Sequence, residues 1–394
     1  MTDLIPIAIC VGFTPDSAPP PAGIDITAAP YNAPGNAQWA QTTLNITSGT
    51  KTLTASDPIW AVGDIGKSIV LPPPPFGSPH WTTIAGFTSA TQITLTDNAT
   101  STLTNYDAII AWGPDSTAAF QLFKDDYQGD TVTLFIPPGV YLISSGNFEG
   151  MWNGITDITV NATDATLCGG TFTISASAQY EAPGHMAYTA SVVAGATSVT
   201  LLTPAEVSRF FVGDWAMMTG FDMQMYGYPI NQALFEYVKI ASIVGAVITF
   251  ETPLVNGYLS TWPVYNATGT NYGGPATLYA MNPTFEHTAV INGLTVAHHG
   301  QWGTGALSLT FNDCTFEGIA GPFPSMGKYI TYNNCAGLNC TMEVDKLVTS
   351  MTMSGCTWLV LNFQSGNSNL LWTMTDTTIT GAIVGSPWKM VVSN

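Results

Sequence analysis

Basic residues are scarce in this chain: eight Lys and Arg stand against 26 Asp and Glu, and both signs together make up only 9% of 394 residues. The net charge of −18 argues against binding to a phosphate backbone, which draws its affinity from clustered Lys and Arg, so no nucleic-acid partner is expected. Long apolar runs are missing too. No stretch approaches the roughly 20 residues that span a bilayer, and no membrane partner is expected. The N-terminal segment lacks a basic n-region and a small-residue cleavage site, and Pro6 interrupts its one apolar run, so a secretory leader is not expected. Cys10, Cys168, Cys314, Cys335, Cys340 and Cys356 lack C-x-x-C spacing, so neither a metal nor a cofactor is expected. What remains is turn chemistry, with 38 Gly and 26 Pro, and short β-branched apolar runs. That combination reads as mostly β.

Residues 1–36 read as an N-terminal arm, its part from 16 to 36 rich in Pro, Ala and Gly and expected to be an extended lead-in. Two later segments look alike, one within 37–112 and one within 188–256. Ser48-Gly49-Thr50-Lys51-Thr52-Leu53, Val62-Gly63-Asp64, Thr83-Ile84 and Gln92-Ile93-Thr94-Leu95 match Ala194-Gly195-Ala196-Thr197-Ser198-Val199, Val212-Gly213-Asp214, Lys239-Ile240 and Val247-Ile248-Thr249-Phe250. Each fits a small antiparallel β accessory module with a Gly-Asp turn at its centre. Between them, residues 113–187 open with Asp115-Ser116-Thr117 before Ala119, Phe120, Phe123 and Tyr127, an N-cap followed by one apolar helical stripe. Two strands then flank Pro137-Pro138-Gly139.

The strongest pattern lies in residues 257–394. Apolar or small residues recur at relative positions 0, 2, 5 and 7: Ala289, Ile291, Leu294 and Val296; Leu309, Phe311, Cys314 and Phe316; Ile330, Tyr332, Cys335 and Gly337; Met351, Met353, Cys356 and Trp358; Trp372, Met374, Thr377 and Ile379. Successive segments are offset by 20, 21, 21 and 21 residues. Before each third inward residue stands Gly293, Asp313, Asn334, Gly355 or Asp376, the residue types that best tolerate a left-handed backbone. A two-residue skip with such a residue inside it means a sharp bend whose two flanking strands face one interior. Coils of this kind stack as a right-handed parallel β-helix, an all-β solenoid. The column Cys314, Cys335 and Cys356 then reads as buried core; disulfides within it are not expected, because in-register parallel neighbours point the same way.

Gly113-Pro114-Asp115-Ser116-Thr117-Ala118-Ala119-Phe120-Gln121, followed by Phe135-Ile136-Pro137-Pro138-Gly139-Val140-Tyr141-Leu142-Ile143, resembles the pectate-lyase-like β-helix superfamily, in particular its phage tailspike-like branch. The stretch Val62-Gly63-Asp64-Ile65-Gly66-Lys67-Ser68-Ile69 resembles an insertion often found just upstream in that branch. The resemblance covers roughly residues 24–394. It implies that the helix caps the N-terminal end of the solenoid and that the Pro-Pro-Gly segment forms its first coil. It also implies a virion spike or tail fibre that binds a host surface glycan through the β-helix flank, attaches to other virion proteins through the N-terminal arm and forms a homotrimer. The short segment after the last coil, leaving the stack end uncovered, agrees with association.

The family's inherited chemistries fit less well. Its lyases use a basic residue beside Ca²⁺-binding carboxylates on the wall, whereas the one arginine here, Arg209, lies in the second module. Its hydrolase motifs are incomplete, with Asp125-Asp126 on the helix and His298-His299-Gly300 as a partial echo. A polysaccharide lyase or glycoside hydrolase remains the alternative, with Glu317, Glu343 and Asp345 as candidate acids, since two carboxylates on neighbouring coils suffice for glycoside hydrolysis. A purely structural particle protein is the third possibility. For glycan contact the candidates are Trp302 and Phe323, placed in loops between coils where a ring is free to stack on a sugar, with His299 beside Trp302.

Overall fold

The computed structural model describes residues 23–72, 79–143, 154–169, 174–175, 186–220, 235–258, 260, 276–281, 286–298, 302–318, 322–344, 347–363, 371–381, 383–384 and 389–393. Its main body is the right-handed parallel β-helix. On one wall, Thr288–His298, Trp302–Asn312, Pro322–Asn333, Leu347–Ser354 and Leu371–Thr375 stack in parallel, so that Ala289, Leu309, Ile330, Met351 and Trp372 form one column. Past the bend, Val296, Phe316, Gly337, Trp358 and Ile379 form another. The inward residues from Ala289 to Met374 share one buried core. Aromatic rings stack within it, Phe311 on Tyr332 of the next coil at 5.1 Å and Phe316 on Trp358 at 5.7 Å across the coil of Gly337.

The bend adopts the backbone its residue types permit. Gly293, Asp313, Asn334, Gly355 and Asp376 have φ of 69°, 55°, 52°, 64° and 48°, all left-handed. Beside this column runs an amide ladder that sequence reading missed. Asn292 donates to Asn161 at 2.9 Å, Asn312 to Asn292 at 2.8 Å and Asn333 to Asn312 at 2.8 Å. Each amide is both donor and acceptor, so the ladder fixes the rung register independently of the core.

The stack is also longer than the five recurring segments. Asp157–Gly169 pairs with Thr288–His298 on one side and with Thr131–Phe135 and Gly139–Ile143 on the other. Its bend is longer, since Asn161 to Ala165 stands opposite Asn292 to Leu294, yet Asp164 again takes a left-handed φ of 56°. At the other end Lys389–Ser393 adds a rung, Met390 opposite Trp372. Both rungs escaped the periodicity because a module interrupts the first and a shortened connection precedes the second.

Residues 23–36 correct the expectation of a loose lead-in. Ile24 pairs with Leu134, and Ile26, Tyr31 and Ala33 are buried in the β-helix core. The helix Thr117–Asp126 closes the same end with Ala119, Phe120 and Phe123. Its cap is supplied by Asp115, whose carboxylate accepts from the Thr117 amide at 2.9 Å and hydroxyl at 2.6 Å, while Ser116 is buried and donates to the Pro34 carbonyl at 2.8 Å. At Gly139 a side chain would meet the Gly35 carbonyl oxygen at 2.5 Å, which is why the Pro-Pro-Gly turn ends in glycine.

The first module is a closed barrel of Gln38–Ile46, Thr52–Ala55, Gln92–Leu95, His80–Ser89, Ser68–Leu71 and Leu103–Gly113. In the second, Met186–Tyr188, Thr277–Ala280, Trp215–Thr219, Phe235–Val244, Val247–Phe250 and Ser198–Thr200 follow the same strand order, completed by a bridge between Thr189 and Leu201. Two of its strands include residues beyond the 188–256 expected. Equivalent backbone bonds place the duplication in register, but not at the expected Gly-Asp turn. Gly66 donates to Ile84 and Gly213 to Ile240, both at 2.8 Å, so the partner of Gly213 is Gly66 rather than Gly63. Both have a left-handed φ, 87° and 95°. The Val-Gly-Asp match between the copies was therefore coincidental; the left-handed glycine before the strand is what they share.

The bend column makes a quantitative claim. Asn334→Ala forces a β-carbon residue without a polar side chain into the left-handed region and is expected to cost about 1–2 kcal/mol, while Asn334→Gly is tolerated better. Denaturant unfolding of the two variants checks this; equal midpoints would contradict the assignment.

Candidate functional site

Trp302 and Phe323 do not lie in loops. They belong to Trp302–Asn312 and Pro322–Asn333, where the coils form a further wall with Ile174–Ser175 as a neighbouring rung. They fall outside the inward positions of the repeat and so were expected in loops, but adjacent rungs supply the ladder that makes these residues strand. Trp302 is opposite Pro322 and Phe323 opposite Gly303, so the two are not register partners. Glu343 is in Ala336–Val344 opposite Asn362, past a register shift from Leu338, the partner of Glu317. Glu317 and Glu343 thus do not share a column. Asp345 and His299 lie outside the described residues.

Glu317 continues an outward column. Leu142, Cys168 and Ala297, one above another, are buried by Ala37 and by Val70, Ile109 and Ala111 of the barrel. Glu317 follows Ala297 and precedes Leu338, which is exposed. Glu317 is half-buried, and this burial raises its carboxyl pKa. A carboxyl kept partly out of water without a charged partner costs stability when ionised.

Among the described residues the interior columns are filled by core side chains. Each thiol of the cysteine column donates to backbone, Cys314 to Ile291 at 3.4 Å, Cys335 to Phe311 at 3.5 Å and Cys356 to Tyr332 at 3.3 Å. The Cys335 thiol is pushed up to about 12, first by its hydrogen bond with Cys314 and also by burial. The Cys356 thiol is raised too, first by its hydrogen bond with Cys335 and then by burial, and the thiolate is the form that attacks or ligates. Buried Glu236 is likewise structural: it accepts from the amides of Val255 and Asn256 at 2.8 and 3.0 Å and from the Tyr258 hydroxyl at 2.9 Å, pinning that turn to its strand.

The outer face of the first wall is different. Between the inward residues, Thr288, Ser308, Tyr329, Ser350 and Leu371 form one column, and Val290, Thr310, Thr331, Thr352 and Thr373 form the next. All are partly or fully exposed. Apart from Val290 and Leu371 at the ends of the columns, rungs about 4.8 Å apart therefore present a field of hydroxyls, each a donor and an acceptor. Within it Tyr329 is 51% exposed.

At the edge of this field the second module meets the β-helix. Met217, Phe235, Tyr237, Tyr279 and Met281 form a cluster against which Trp215 and Leu307 pack. Leu307 donates from its backbone to the His287 carbonyl at 3.2 Å, tying adjacent coils at this corner. The Lys328 ammonium lies 4.7 Å from the Trp215 ring centroid and 5.6 Å from that of Tyr329. On the neighbouring strand Lys239, opposite Trp215, pairs with Glu286. Burial raises the Asp214 pKa, and the negative charge of Glu286 adds to it. The outward position of Tyr329, one residue before inward Ile330, was legible in the repeat; its meeting with Trp215 was not, because that requires the module's placement.

No family model matches the chain, and no curated protein matches it. Similar solved structures include the tailspike protein gp49 from Pseudomonas phage LKA1, 16% identical over 71% of this chain and 52% of that one, with a TM-score of 0.41. The Gp54 tailspike of Acinetobacter baumannii bacteriophage AP22, in complex with A. baumannii capsular saccharide, is 13% identical over 67% of this chain and 55% of that one, with a TM-score of 0.34. The Pseudomonas phage phi297 tailspike gp61 is 13% identical over 68% and 55%, also at 0.34. The chain thus spans about half the length of these structures, and the likeness is one of architecture.

Glu317 yields a signed prediction. Its folded pKa is raised, so the folded state binds more protons than the unfolded state above the ordinary Glu value of about 4.3. Stability then falls as pH rises from that value through the folded pKa. Glu317→Gln should raise the melting temperature at pH 7 and flatten its decline above pH 4; a lower melting temperature at pH 7 would contradict the desolvated carboxyl.

Proposed function

We propose that this chain is a phage-type virion spike or tail fibre protein whose β-helix flank binds a host surface polysaccharide. The carrying observation is the exposed hydroxyl field around Tyr329, repeated rung by rung and bordered by Lys328 and Trp215. A polymer of sugars presents hydroxyls at regular intervals and apolar ring faces between them. Repeated Ser and Thr meet the first, and an aromatic ring meets the second. Trp302 opens the strand that carries Leu307 and Ser308, and Phe323 lies on the strand of Lys328 and Tyr329, so both remain candidates for contact on the same coils, with His299 just before the first of these strands in sequence. In this proposal residues before the β-helix cap join the chain to other virion proteins, the protein works as a homotrimer, and it acts on the virion outside the host.

A second reading, a depolymerase on the same scaffold, is favoured by Glu317 alone, whose raised pKa suits an acid that donates a proton. Screening bacterial surface polysaccharides separates the readings. Binding is expected, with Tyr329→Ala weakening it about tenfold, the loss of one aromatic contact. Folded protein that binds no polysaccharide, or Tyr329→Ala with full affinity, would contradict the binding surface. New reducing ends or unsaturated uronates that vanish in Glu317→Gln would establish the depolymerase instead.

A further inference from the structure

We propose that Lys328, held between Trp215 and Tyr329, recognises a carboxylate on an acidic polysaccharide. This rests on the polysaccharide-binding reading and specifies the chemistry of the polymer.

The chain has seven lysines and one arginine among 394 residues, so each cation is a sparse resource. Where the structure describes their contacts, the others find oxygen: Lys67 bonds Asp64 at 2.8 Å, Arg209 bonds Glu206 at 3.2 Å, Lys51 bonds the Thr96 carbonyl at 2.6 Å, and Lys239 pairs with Glu286. Lys328 differs. Among the described residues its ammonium meets two aromatic rings and no carboxylate or hydrogen-bond acceptor. Ring faces hold a cation in place and stabilise it by about 0.5–2 kcal/mol, yet they supply no counter-charge, and among the described residues no oxygen accepts from its three N–H donors. This is a positioned positive charge awaiting an anion.

The surroundings select which anion. Tyr329 is exposed beside the ammonium, and its column continues into Ser308 and Ser350. A small inorganic anion would use the ammonium alone, whereas a sugar acid would use the charge, a ring face and the hydroxyls together. Of the nearby acids, Glu286 is paired with Lys239, and no described acid bonds the Lys328 ammonium. The net charge of −18 opposes a polyanion at long range, but screening confines that repulsion to about 8 Å at physiological ionic strength. Contact at the corner is decided by the local cation.

The test uses the full chain and capsular polysaccharides containing uronic acids, each beside its carboxyl-reduced form, in which the carboxylate has become a neutral hydroxymethyl group. Wild-type protein should bind the acidic polymer about tenfold more tightly than the reduced one, a comparison that needs no variant. Lys328→Met should bring the acidic polymer down to the affinity of the reduced one and leave the reduced one unchanged, while Lys328→Arg keeps the preference. Equal affinity of wild type for the acidic and reduced polymers would overturn the carboxylate site. If Tyr329→Ala still weakened that binding about tenfold, the polysaccharide reading would stand without it. Failure of every acidic and neutral polymer to bind would overturn both.

Discussion

Everything in this molecule depends on the register of the parallel ladder, and the left-handed bend holds that register. Because side chains alternate along a strand, a slip of one residue would turn Phe311 and Tyr332 outwards and bring Thr310 and Thr331 into the core. The bend prevents such a slip locally, since only Gly, Asn or Asp sits comfortably at a φ near 55°. The amide ladder from Asn161 to Asn333 prevents it again, because each side-chain bond spans one rung and is lost by displacement. Core, bend and ladder are three determinants that agree, which is what lets one sequence specify one stack.

The same register creates the outer surface. Fixing Ile330 and Tyr332 inwards places Tyr329 and Thr331 outwards, in line with Ser308 and Thr310 below and Ser350 and Thr352 above. The hydroxyl field is thus the other side of the core, with the same periodicity. The second module completes one edge of it by bringing Trp215 to Lys328. The barrel, in contrast, covers the Leu142–Cys168–Ala297 column on the opposite side of the bend and leaves Glu317 half-buried beyond it.

Much of the fold was legible because the constraint is local and recurs. Five left-handed positions were readable from residue type alone, and the inward columns from spacing. The rung at Asp157–Gly169 was hidden because its continuation at Thr288 comes only after the second module, and its bend is longer. Residues 23–36 looked like linker because Pro, Ala and Gly are also what a tightly packed cap uses; Gly35 lies against Tyr141, and Ile26 is fully buried. The site was less legible. Trp302 and Phe323 were placed in loops because they fall outside the inward positions of the repeat, but a solenoid supplies hydrogen-bonding neighbours on both sides. Lys328 was overlooked because its meaning comes from Trp215, more than a hundred residues away in sequence.

The most direct test of the binding surface is a crystal structure of the protein with an oligosaccharide from a polymer that it binds. Sugar rings are expected against Tyr329 and the Thr310–Thr331–Thr352 column, with an acidic group at the Lys328 ammonium. An oligosaccharide seated on the barrel or on the wall of Glu317, with Tyr329 and Lys328 untouched, would contradict the account.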